Sequence, residues 1–459
     1  MEAMKDYSPA LTILRPALLG KVFLLAMLLL PLSAHAQNAI RDAEAERVLR
    51  EIAAPIFTGA GLNPSQTRIV IINDDVVNAF VAGGQNLFLY TGLLLETKSV
   101  AQLGGVIAHE AGHIAGGHLI RIRGEMETAS VESIISALAG VAIGLGSGDG
   151  QAGMGTMMGG TELARRRLLS HSRVFESSAD QSGLKTLERV GYSAQGMADF
   201  LEHLSAQEAL PELQRSGYIL THPLSRDRLD AVKAFVANSR HKDDAWPAAW
   251  DEALHRIQAK ILAFTSPQRA EREFKDKTDF ASRYGMAIAH YRQGRIEQAL
   301  AILRELQKLE PSNGYIPELR GQVLFEQGRI SEAVEAYRAA LKLLPEEALI
   351  HLSLAQSLLQ NEKSSSDEAL RHLLQARARG EQNTPMVHRF LAIAYGRQGK
   401  EGLAKLSLAE EALLRRDLSL AIQHATRARD LIPASDAASR QRASDVLAQA
   451  ERIKKKKDK

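Results

Sequence analysis

One apolar run decides the fold of this chain: Val106-Ile107-Ala108-His109-Glu110-Ala111-Gly112-His113. It has the form H-E-x-x-H and suits an α-helix, on which residues four apart are neighbours on one face. His109 and His113 can therefore hold one zinc ion between two neutral imidazoles. Glu110 follows the first of them, where its carboxylate can take a proton from a water molecule at the metal. The alternative for this short motif alone is a chance match on a histidine-bearing helix.

The composition is that of a globular protein, and it excludes several classes of site. The chain has 459 residues, of which 45% are hydrophobic and 24% charged, so we expect two or three domains. A net charge of +3 and an aromatic content of 5% argue against nucleic-acid binding. There is no cysteine, which excludes disulfides, a thiol nucleophile and cysteine-bound zinc. A metal site must therefore use His, Asp and Glu.

The N-terminal stretch predicts a signal peptide over residues 1–36. A positively charged start precedes the apolar run from Val22 to Leu30, and Ala34-His35-Ala36 is a typical cleavage signal. We expect cleavage after Ala36 and export to the periplasm. The alternative is an uncleaved signal anchor, for which the apolar run is short.

The segment before the H-E-x-x-H helix predicts one helix and a small sheet. The spacing of apolar residues predicts a helix over 42–56, and residues 67–72 are β-branched and apolar like a strand. Gly83-Gly84 predict a hairpin between residues 76–81 and a second strand. We expect that second strand to lie at the edge of a cleft and to bind an extended substrate through its backbone. Its residues are Asn86, Leu87, Phe88, Leu89 and Tyr90.

The segment from Glu125 to Gly160 is unusual in composition. Ile134 to Gly146 are apolar, and residues 147–160 are rich in glycine and methionine. The segment is too short and too interrupted by glycine to span a membrane. It predicts either a mobile lid or a flap that contacts the membrane surface, and the alternative is a linker.

A catalytic zinc ion takes three protein ligands and one open position, so a third ligand is needed. The pattern H-E-x-x-H-x-x-G-x-x-H almost fits, because Gly116 is in place, but residue 119 is leucine. His118 comes one residue early. On a continuous helix it points away from the ligand face, so it is interpreted as a structural or surface histidine.

Glu176 is the better candidate for the third ligand. In Glu176-Ser177-Ser178-Ala179-Asp180 the two acids are four apart and share one helix face. Glu176 can bind zinc, and Asp180 can accept a hydrogen bond from the far nitrogen of a histidine ligand. An ordinary acidic helix face is the alternative for this motif on its own.

The C-terminal part contains a repeat. Gly294, Ala299 and Pro311 recur as Gly328, Ala333 and Pro345, each 34 residues later, which is the tetratricopeptide period. Three further copies align less regularly as far as Pro433. Such a solenoid presents a concave surface that binds extended partners.

The motifs together resemble the gluzincin metallopeptidases, a family that includes HtpX and the CAAX prenyl proteases. The similarity is closest to periplasmic members in which the protease domain precedes tetratricopeptide repeats, and it covers nearly the whole chain. The matching residues are His109-Glu110-Ala111-Gly112-His113, Glu176 with Ala179-Asp180, Thr221-His222-Pro223 and Arg228.

The resemblance implies roles for these residues. It implies one zinc ion per chain, bound by His109, His113 and Glu176, with Glu110 as the general base. It implies that Asp180 orients a histidine ligand and that His222, on a loop, can fill the open zinc position and keep the enzyme inactive. Arg228 resembles the family arginine near the cleft, and a salt bridge to Asp180 or another acid is its alternative role.

The expected fold is an α+β zincin-type protease domain, mostly helical with a small sheet, followed by an all-α tetratricopeptide solenoid. We expect the protease domain over residues 37–268, the repeats over 269–435, and a helix with a basic tail over 436–459. The resemblance implies a periplasmic zinc endopeptidase whose partners are unfolded or stalled outer-membrane β-barrel proteins and their assembly machinery. One alternative is a chaperone or adaptor that cuts little, and another is a membrane-anchored protease.

Overall fold

The structure is a computed structural model, and it describes residues 39–118, 162–205, 217–361 and 366–457. By its backbone contacts the chain divides into Met1–Ala39 and Ile40–Lys459, and all helices described below belong to the second unit. The predicted signal peptide and the segment 125–160 lie outside the described residues. Within the described ranges, no helix combines the length and the hydropathy that crossing a membrane requires.

A small mixed sheet forms near the start of the described chain, with the strand order β1-β2-β4-β3. Its strands are β1 (Ala39–Ile40), β2 (Arg68–Ile72), β3 (Ala79–Ala82) and β4 (Asn86–Tyr90). β4 pairs in parallel with β2 and antiparallel with β3. Gly83 and Gly84 join β3 to β4 with φ angles of +60° and +97°, which glycine adopts without strain. The predicted strand and hairpin are confirmed.

Helices pack against this sheet and carry the candidate site. They are α1 (Ala43–Gly59), α2 (Thr91–Glu96), α3 (Val100–Ala115), α4 (Glu162–Val190), α5 (Gln195–Ser205), α6 (Gly217–Thr221), α7 (Arg226–Asn238) and α8 (Ala248–Thr265). α1 begins after Asp42, whose side chain accepts a hydrogen bond from the backbone N–H of Ala45 at 2.8 Å. Ile52 of α1, Leu89 of β4 and Ile107 of α3 share one buried core, which fixes α3 behind the sheet.

Paired helices follow, as the 34-residue period predicts. They are α9 (Pro267–Phe274), α10 (Phe280–Arg292), α11 (Ile296–Leu309), α12 (Tyr315–Glu326), α13 (Ile330–Leu343), α14 (Ala348–Gln360), α15 (Ser366–Ala378), α16 (Pro385–Arg397), α17 (Glu401–Leu414), α18 (Leu418–Leu431) and α19 (Ala437–Lys457). Ala299 and Ala333 are fully buried where paired helices touch. The expected architecture is confirmed: a mostly helical part with a small sheet precedes helical repeats.

The segment that begins at Arg41 also contacts the repeats. Arg41 Nη2 lies 2.5 Å from Glu381 Oε1, beyond the end of α15. Glu44, buried at the start of α1, accepts from the Tyr284 hydroxyl of α10 at 3.1 Å and lies 3.2 Å from Lys260 Nζ of α8. The core of the repeat helices also includes residues of α1 and α8. The domain boundary between residues 268 and 269 falls within α9, beside this shared core, and it stays a prediction.

Candidate metal centre

α3 carries the H-E-x-x-H stretch on its last turns. The helix begins after Ser99, whose hydroxyl accepts from the backbone N–H of Gln102 at 3.3 Å. His109 and His113 are both buried, and their Nε2 atoms lie 3.1 Å apart. The helical spacing therefore brings the predicted pair together on one face, as the sequence indicates.

Glycine allows α4 to cross α3 at close range. A Cβ atom on Gly112 would lie 2.6 Å from the carbonyl oxygen of Ala179, and one on Gly183 would lie 3.0 Å from the carbonyl oxygen of Ala108. Backbones that touch in this way leave no space for side chains at the crossing. The crossing places the acidic face of α4 opposite the two histidines.

Glu176 and Asp180 of α4 contact the histidines from two sides. The oxygens of Glu176 lie 3.3 Å from the Nε2 atoms of His109 and His113. Asp180 Oδ1 lies 2.8 Å from His109 Nδ1, on the far side of that ring. When Nδ1–H donates to Asp180, the free lone pair of His109 on Nε2 faces Glu176.

His222 brings a third imidazole to the cluster. It follows α6, and its Nδ1 lies 3.1 Å and 3.2 Å from the two oxygens of Glu176 and 3.3 Å from His109 Nε2. Its Nε2 lies 3.3 Å from the carbonyl oxygen of Ala79 in β3. Tyr218, one turn earlier, packs its ring against His222 at a centroid distance of 4.5 Å. A neutral His222 that donates from Nε2 to Ala79 directs its Nδ1 lone pair into the cluster.

These side chains fit a divalent metal ion. His109, His113, Glu176 and His222 each offer one ligand atom, all four atoms lie within 4.8 Å of one another, and all four residues are buried. Imidazole nitrogens and a carboxylate oxygen are ligands that zinc prefers. Beside them, Glu110 is fully buried and neither carboxylate oxygen has a hydrogen-bond partner, although Oε1 lies 3.3 Å from His222 Nε2. A buried carboxylate without partners is costly unless a cation or a water molecule accompanies it.

Residues 39–236, which contain this cluster, match the model of peptidase family M48. The chain carries an M48 peptidase domain. Residues 284–348 and 318–379 match the tetratricopeptide repeat model, so repeats follow the M48 domain. M48 peptidases are metalloproteases, and the family implies a divalent metal ion in agreement with the buried His and Glu side chains.

Curated relatives of this chain include two bacterial proteases with the same name. The chain is 26% identical to the β-barrel assembly-enhancing protease of Yersinia pestis over 66% of its own length and 63% of that protein. It is 27% identical to the β-barrel assembly-enhancing protease of Escherichia coli (strain K12) over 54% and 52%. The metalloprotease YcaL of Escherichia coli is 25% identical over 44% of this chain and 75% of that protein. The matches thus span about half to two thirds of the assembly-enhancing proteases.

Arg228 is buried beside the cluster. Its Nε and Nη2 donate to the two oxygens of Asp180 at 2.6 Å and 2.9 Å, and its Nη1 donates to the carbonyl of Pro223 at 2.8 Å. Nη1 also lies 3.2 Å from Glu176 Oε2. The salt bridge to Asp180, one of the roles left open from the sequence, is present. A role of Arg228 beside the cleft stays a prediction.

The buried charges of the M48 domain shift one another's pKa values. Burial raises the pKa of Asp180, but hydrogen bonds from His109 and Arg228 outweigh it and hold the pKa at about 2. Burial lowers the pKa of His109, but hydrogen bonds to Asp180 and Glu176 raise it to about 10. Burial also lowers the pKa of His113. The pKa values of the two histidines are therefore shifted in opposite directions.

The interpretation of Asn86 to Tyr90 as an edge strand is wrong. These residues form β4, and β4 has β2 on one side and β3 on the other. Its backbone groups are therefore used within the sheet and cannot pair with a substrate. Among the described strands, β3 is the outer neighbour of β4, and its residue Ala79 reaches His222.

His118 is the residue near the cluster whose position the sequence did not predict. It is buried, and its Nδ1 lies 3.0 Å from Nδ1 of His113, the ring nitrogen that points away from the other ligand atoms. Its interpretation as a structural histidine off the ligand face is therefore not contradicted, but the contact with His113 was not predicted. α3 ends at Ala115 and a turn at Gly116-Gly117 follows, so the helical spacing of α3 does not extend to residue 118. The pair Gly116-Gly117 was the available signal, because glycine commonly reverses the chain after a helix.

Proposed function

We propose that this protein is a zinc-dependent endopeptidase of the periplasm, which acts in the assembly and quality control of outer-membrane β-barrel proteins. The observation that carries the peptidase proposal is the unpartnered carboxylate of Glu110 beside four buried ligand side chains. His109, His113 and Glu176 would hold the zinc ion. The bound ion supplies a Lewis acid that polarises a peptide carbonyl and activates water.

Glu110 is proposed as the general base and acid. Its carboxylate is buried, and neither oxygen has a hydrogen-bond partner, so it is free to accept a proton from the attacking water. It then returns the proton to the nitrogen of the departing peptide. Asp180 and Arg228 are proposed as positioning residues: Asp180 holds the His109 ring, and Arg228 holds Asp180.

We assign the substrate backbone to the outer edge of β3. The carbonyl of Asn78 accepts from the N–H of Tyr90 in β4, so the next residue, Ala79, turns its backbone groups the other way. That outer side faces His222, whose Nε2 lies 3.3 Å from the Ala79 carbonyl. An extended peptide paired with this edge would run beside Glu110, which is the geometry that cleavage requires.

His222 is proposed to keep the enzyme inactive in the arrangement described here. Its Nδ1 stands among the ligand atoms, where it would be a fourth protein ligand, while its Nε2 uses the Ala79 carbonyl. With a metal bound, the same side chain would take the position that the catalytic water needs, and it also contacts the edge of β3. A client or partner that favours a displaced loop would supply the free energy of opening.

The client class is proposed from the relatives and the repeats. The relatives are named β-barrel assembly-enhancing proteases, and tetratricopeptide solenoids bind extended chains. Unfolded or stalled outer-membrane barrels and their assembly machinery are therefore the proposed partners. The signal peptide predicted for residues 1–36 supports export to the periplasm.

A second candidate function is a chaperone or adaptor that binds unfolded barrels with little proteolysis. The position of His222 favours it, because a site closed by a protein ligand binds without cutting until the loop moves. One measurement distinguishes the two functions: whether a bound client is cleaved or stays intact.

The test uses the full chain and the variant Glu110→Gln, with Glu202→Gln as the matched control on the exposed face of α5. We expect about one zinc ion per chain in all three proteins. Cleavage of an unfolded barrel client should fall by at least about 100-fold in Glu110→Gln alone, because an amide cannot accept the proton. A wild-type chain without zinc that cleaves normally would overturn the proposal. Retained client binding by Glu110→Gln would establish the chaperone role separately.

A further inference from the structure

His118 touches the far side of one histidine of the candidate metal centre. Its Nδ1 lies 3.0 Å from Nδ1 of His113, and the two rings meet edge to face at an angle of 83°. The His118 side chain is buried, with a relative exposure of 2%. The contact is to the ring nitrogen that points away from Glu176, since Nε2 of His113 is the atom that faces Glu176.

Two glycines bring His118 to this place. α3 ends at Ala115, and Gly117 adopts a φ of +62°, which reverses the chain directly after the helix. A Cβ atom on Gly116 would lie 2.5 Å from Nε2 of His118. The His118 ring thus folds over Gly116, in the volume that any other residue would fill with its own side chain.

The His118 ring also contacts the helix that carries Glu176. It stacks on Phe175 of α4 with a centroid distance of 4.7 Å and an interplanar angle of 25°. Phe175 precedes Glu176 directly in sequence. His118 therefore lies between the two ligand-bearing helices, with its edge on His113 and its face on the neighbour of Glu176.

The chemistry of imidazole indicates which of the two rings donates the hydrogen bond between His113 and His118. A neutral His113 that binds a metal through Nε2 carries its hydrogen on Nδ1. That hydrogen is donated to His118 Nδ1, which accepts when the hydrogen of His118 is on Nε2. Asp180 performs the same task for His109 at 2.8 Å. Each of the two histidines thus has its own acceptor behind the ring.

We infer that His118 is a positioning residue that fixes the ring orientation and tautomer of His113 for a divalent metal ion. The inference rests on the proposed function, because it takes His113 as a metal ligand. A partner of this kind, which hydrogen-bonds a metal ligand, contributes about 10- to 100-fold to metal affinity in proteins.

The first test measures the zinc affinity of the full chain by competition with a chelator. In His118→Phe an aromatic ring can still stack on Phe175 but offers no acceptor, so we expect zinc affinity to fall about 10- to 100-fold. In His118→Asn the side-chain oxygen can take the place of Nδ1, so we expect most of the affinity to return. His203→Phe is the control, because His203 is an exposed histidine whose ring contacts Glu96 instead.

The second test uses Gly116. Gly116→Ala should displace the His118 ring and weaken zinc binding to a similar extent, since the added Cβ would overlap Nε2. In a His118→Ala background the same substitution should change zinc affinity by less than about twofold, because no ring is left to displace. This comparison decides the question even when His118→Phe fails to fold.

The outcomes distinguish a failure of the role inferred for His118 from a failure of the proposed zinc-dependent function. A wild-type chain that binds no zinc overturns the proposed function. A wild-type chain that binds zinc, with His118→Phe binding it equally tightly, overturns the inference alone. Equal weakening in His118→Phe and His118→Asn also overturns it, because the hydrogen-bond acceptor would then not matter. If the effects of Gly116→Ala and His118→Ala on zinc affinity were additive, the inference would also be overturned.

Discussion

Arg228 holds Asp180 by both carboxylate oxygens, with Nε 2.6 Å from Oδ2 and Nη2 2.9 Å from Oδ1. Through Nη1 the same guanidinium donates to the carbonyl of Pro223, the residue after His222. Asp180 contacts His109 in turn. One buried side chain therefore connects the carboxylate behind one candidate ligand with the loop that carries another.

Replacement of Arg228 by alanine should destabilise the fold strongly. The substitution leaves the buried carboxylate of Asp180 without its cation, and breaking a buried ion pair in this way costs about 3–5 kcal/mol. Urea denaturation of the metal-free protein measures this loss in the free energy of unfolding. Arg240→Ala is the control: Arg240 is exposed and pairs loosely with Glu188, so the free energy of unfolding should change by less than about 1 kcal/mol. Equal effects of the two substitutions would contradict a stabilising role of the buried ion pair between Arg228 and Asp180.

His222→Ala should raise basal proteolysis, including self-cleavage, by about tenfold or more while zinc content changes little. Removing Nδ1 from the cluster frees one ligand position and the Ala79 carbonyl together. Degradation of an unfolded barrel client measures the rate, and the double variant with Glu110→Gln confirms that the same site does the cutting. His203→Ala is the control on the surface. A slower His222→Ala enzyme would instead assign His222 to substrate or transition-state binding.

Gly112→Ala should damage the metal centre although the substitution adds only a methyl group. Its Cβ would lie 2.6 Å from the backbone oxygen of Ala179, so α4 must move away from α3 and carry Glu176 with it. We expect a loss of about 1–3 kcal/mol in the free energy of unfolding and at least about a tenfold loss of zinc affinity. Gly396→Ala in α16 is the control, because its Cβ meets no atom within 4 Å. An intact zinc site in Gly112→Ala would show that α4 can shift freely.

Glu318→Gln should change how stability depends on pH. Burial raises the pKa of Glu318 on α12 to about 7, with Asp42 and Glu44 adding repulsion and Lys260 opposing it. The folded protein therefore binds the proton more tightly than the unfolded chain, so this stabilisation is complete below about pH 4.5 and is lost as pH rises through about 7.

At pH 8 the Glu318→Gln variant should then be more stable than wild type by about 1–3 kcal/mol, and at pH 4.5 the two should be nearly equal. Urea denaturation at both pH values measures the difference. Glu335→Gln, on an exposed side chain of α13, serves as the control and should show no such divergence. Parallel stability curves for wild type and Glu318→Gln would show that Glu318 is ionised in the fold at neutral pH.

Local periodicity predicted the parts of the site that lie on regular helices. His109 and His113 are one turn apart on α3, and Glu176 and Asp180 are one turn apart on α4, so their shared faces follow from helical spacing alone. His222 came from the resemblance to a family, and the structure brings it to the other three. The zinc ion and the catalytic roles remain predictions.

The errors arose where tertiary structure overrides local pattern. The contact of His118 with His113 was missed, because it depends on a left-handed residue at Gly117 that turns the chain back after α3. β4 was expected at an edge, but the crossover that brings β2 to its other side has no local signature in sequence. In the same way, no short-range pattern indicates that Glu44 and Tyr284 share a hydrogen bond across 240 positions.

The contacts of the segment that begins at Arg41 impose an order on assembly. A ribosome delivers Arg41 first, and its partner Glu381 appears 340 residues later. Glu44, buried at the start of α1, gains the cation of Lys260 and the hydroxyl of Tyr284 only 216 and 240 residues after its own synthesis. The earliest part of the described chain to be synthesised is thus among the last to settle, and a chain interrupted before Lys260 would expose the carboxylate of Glu44 without its cation.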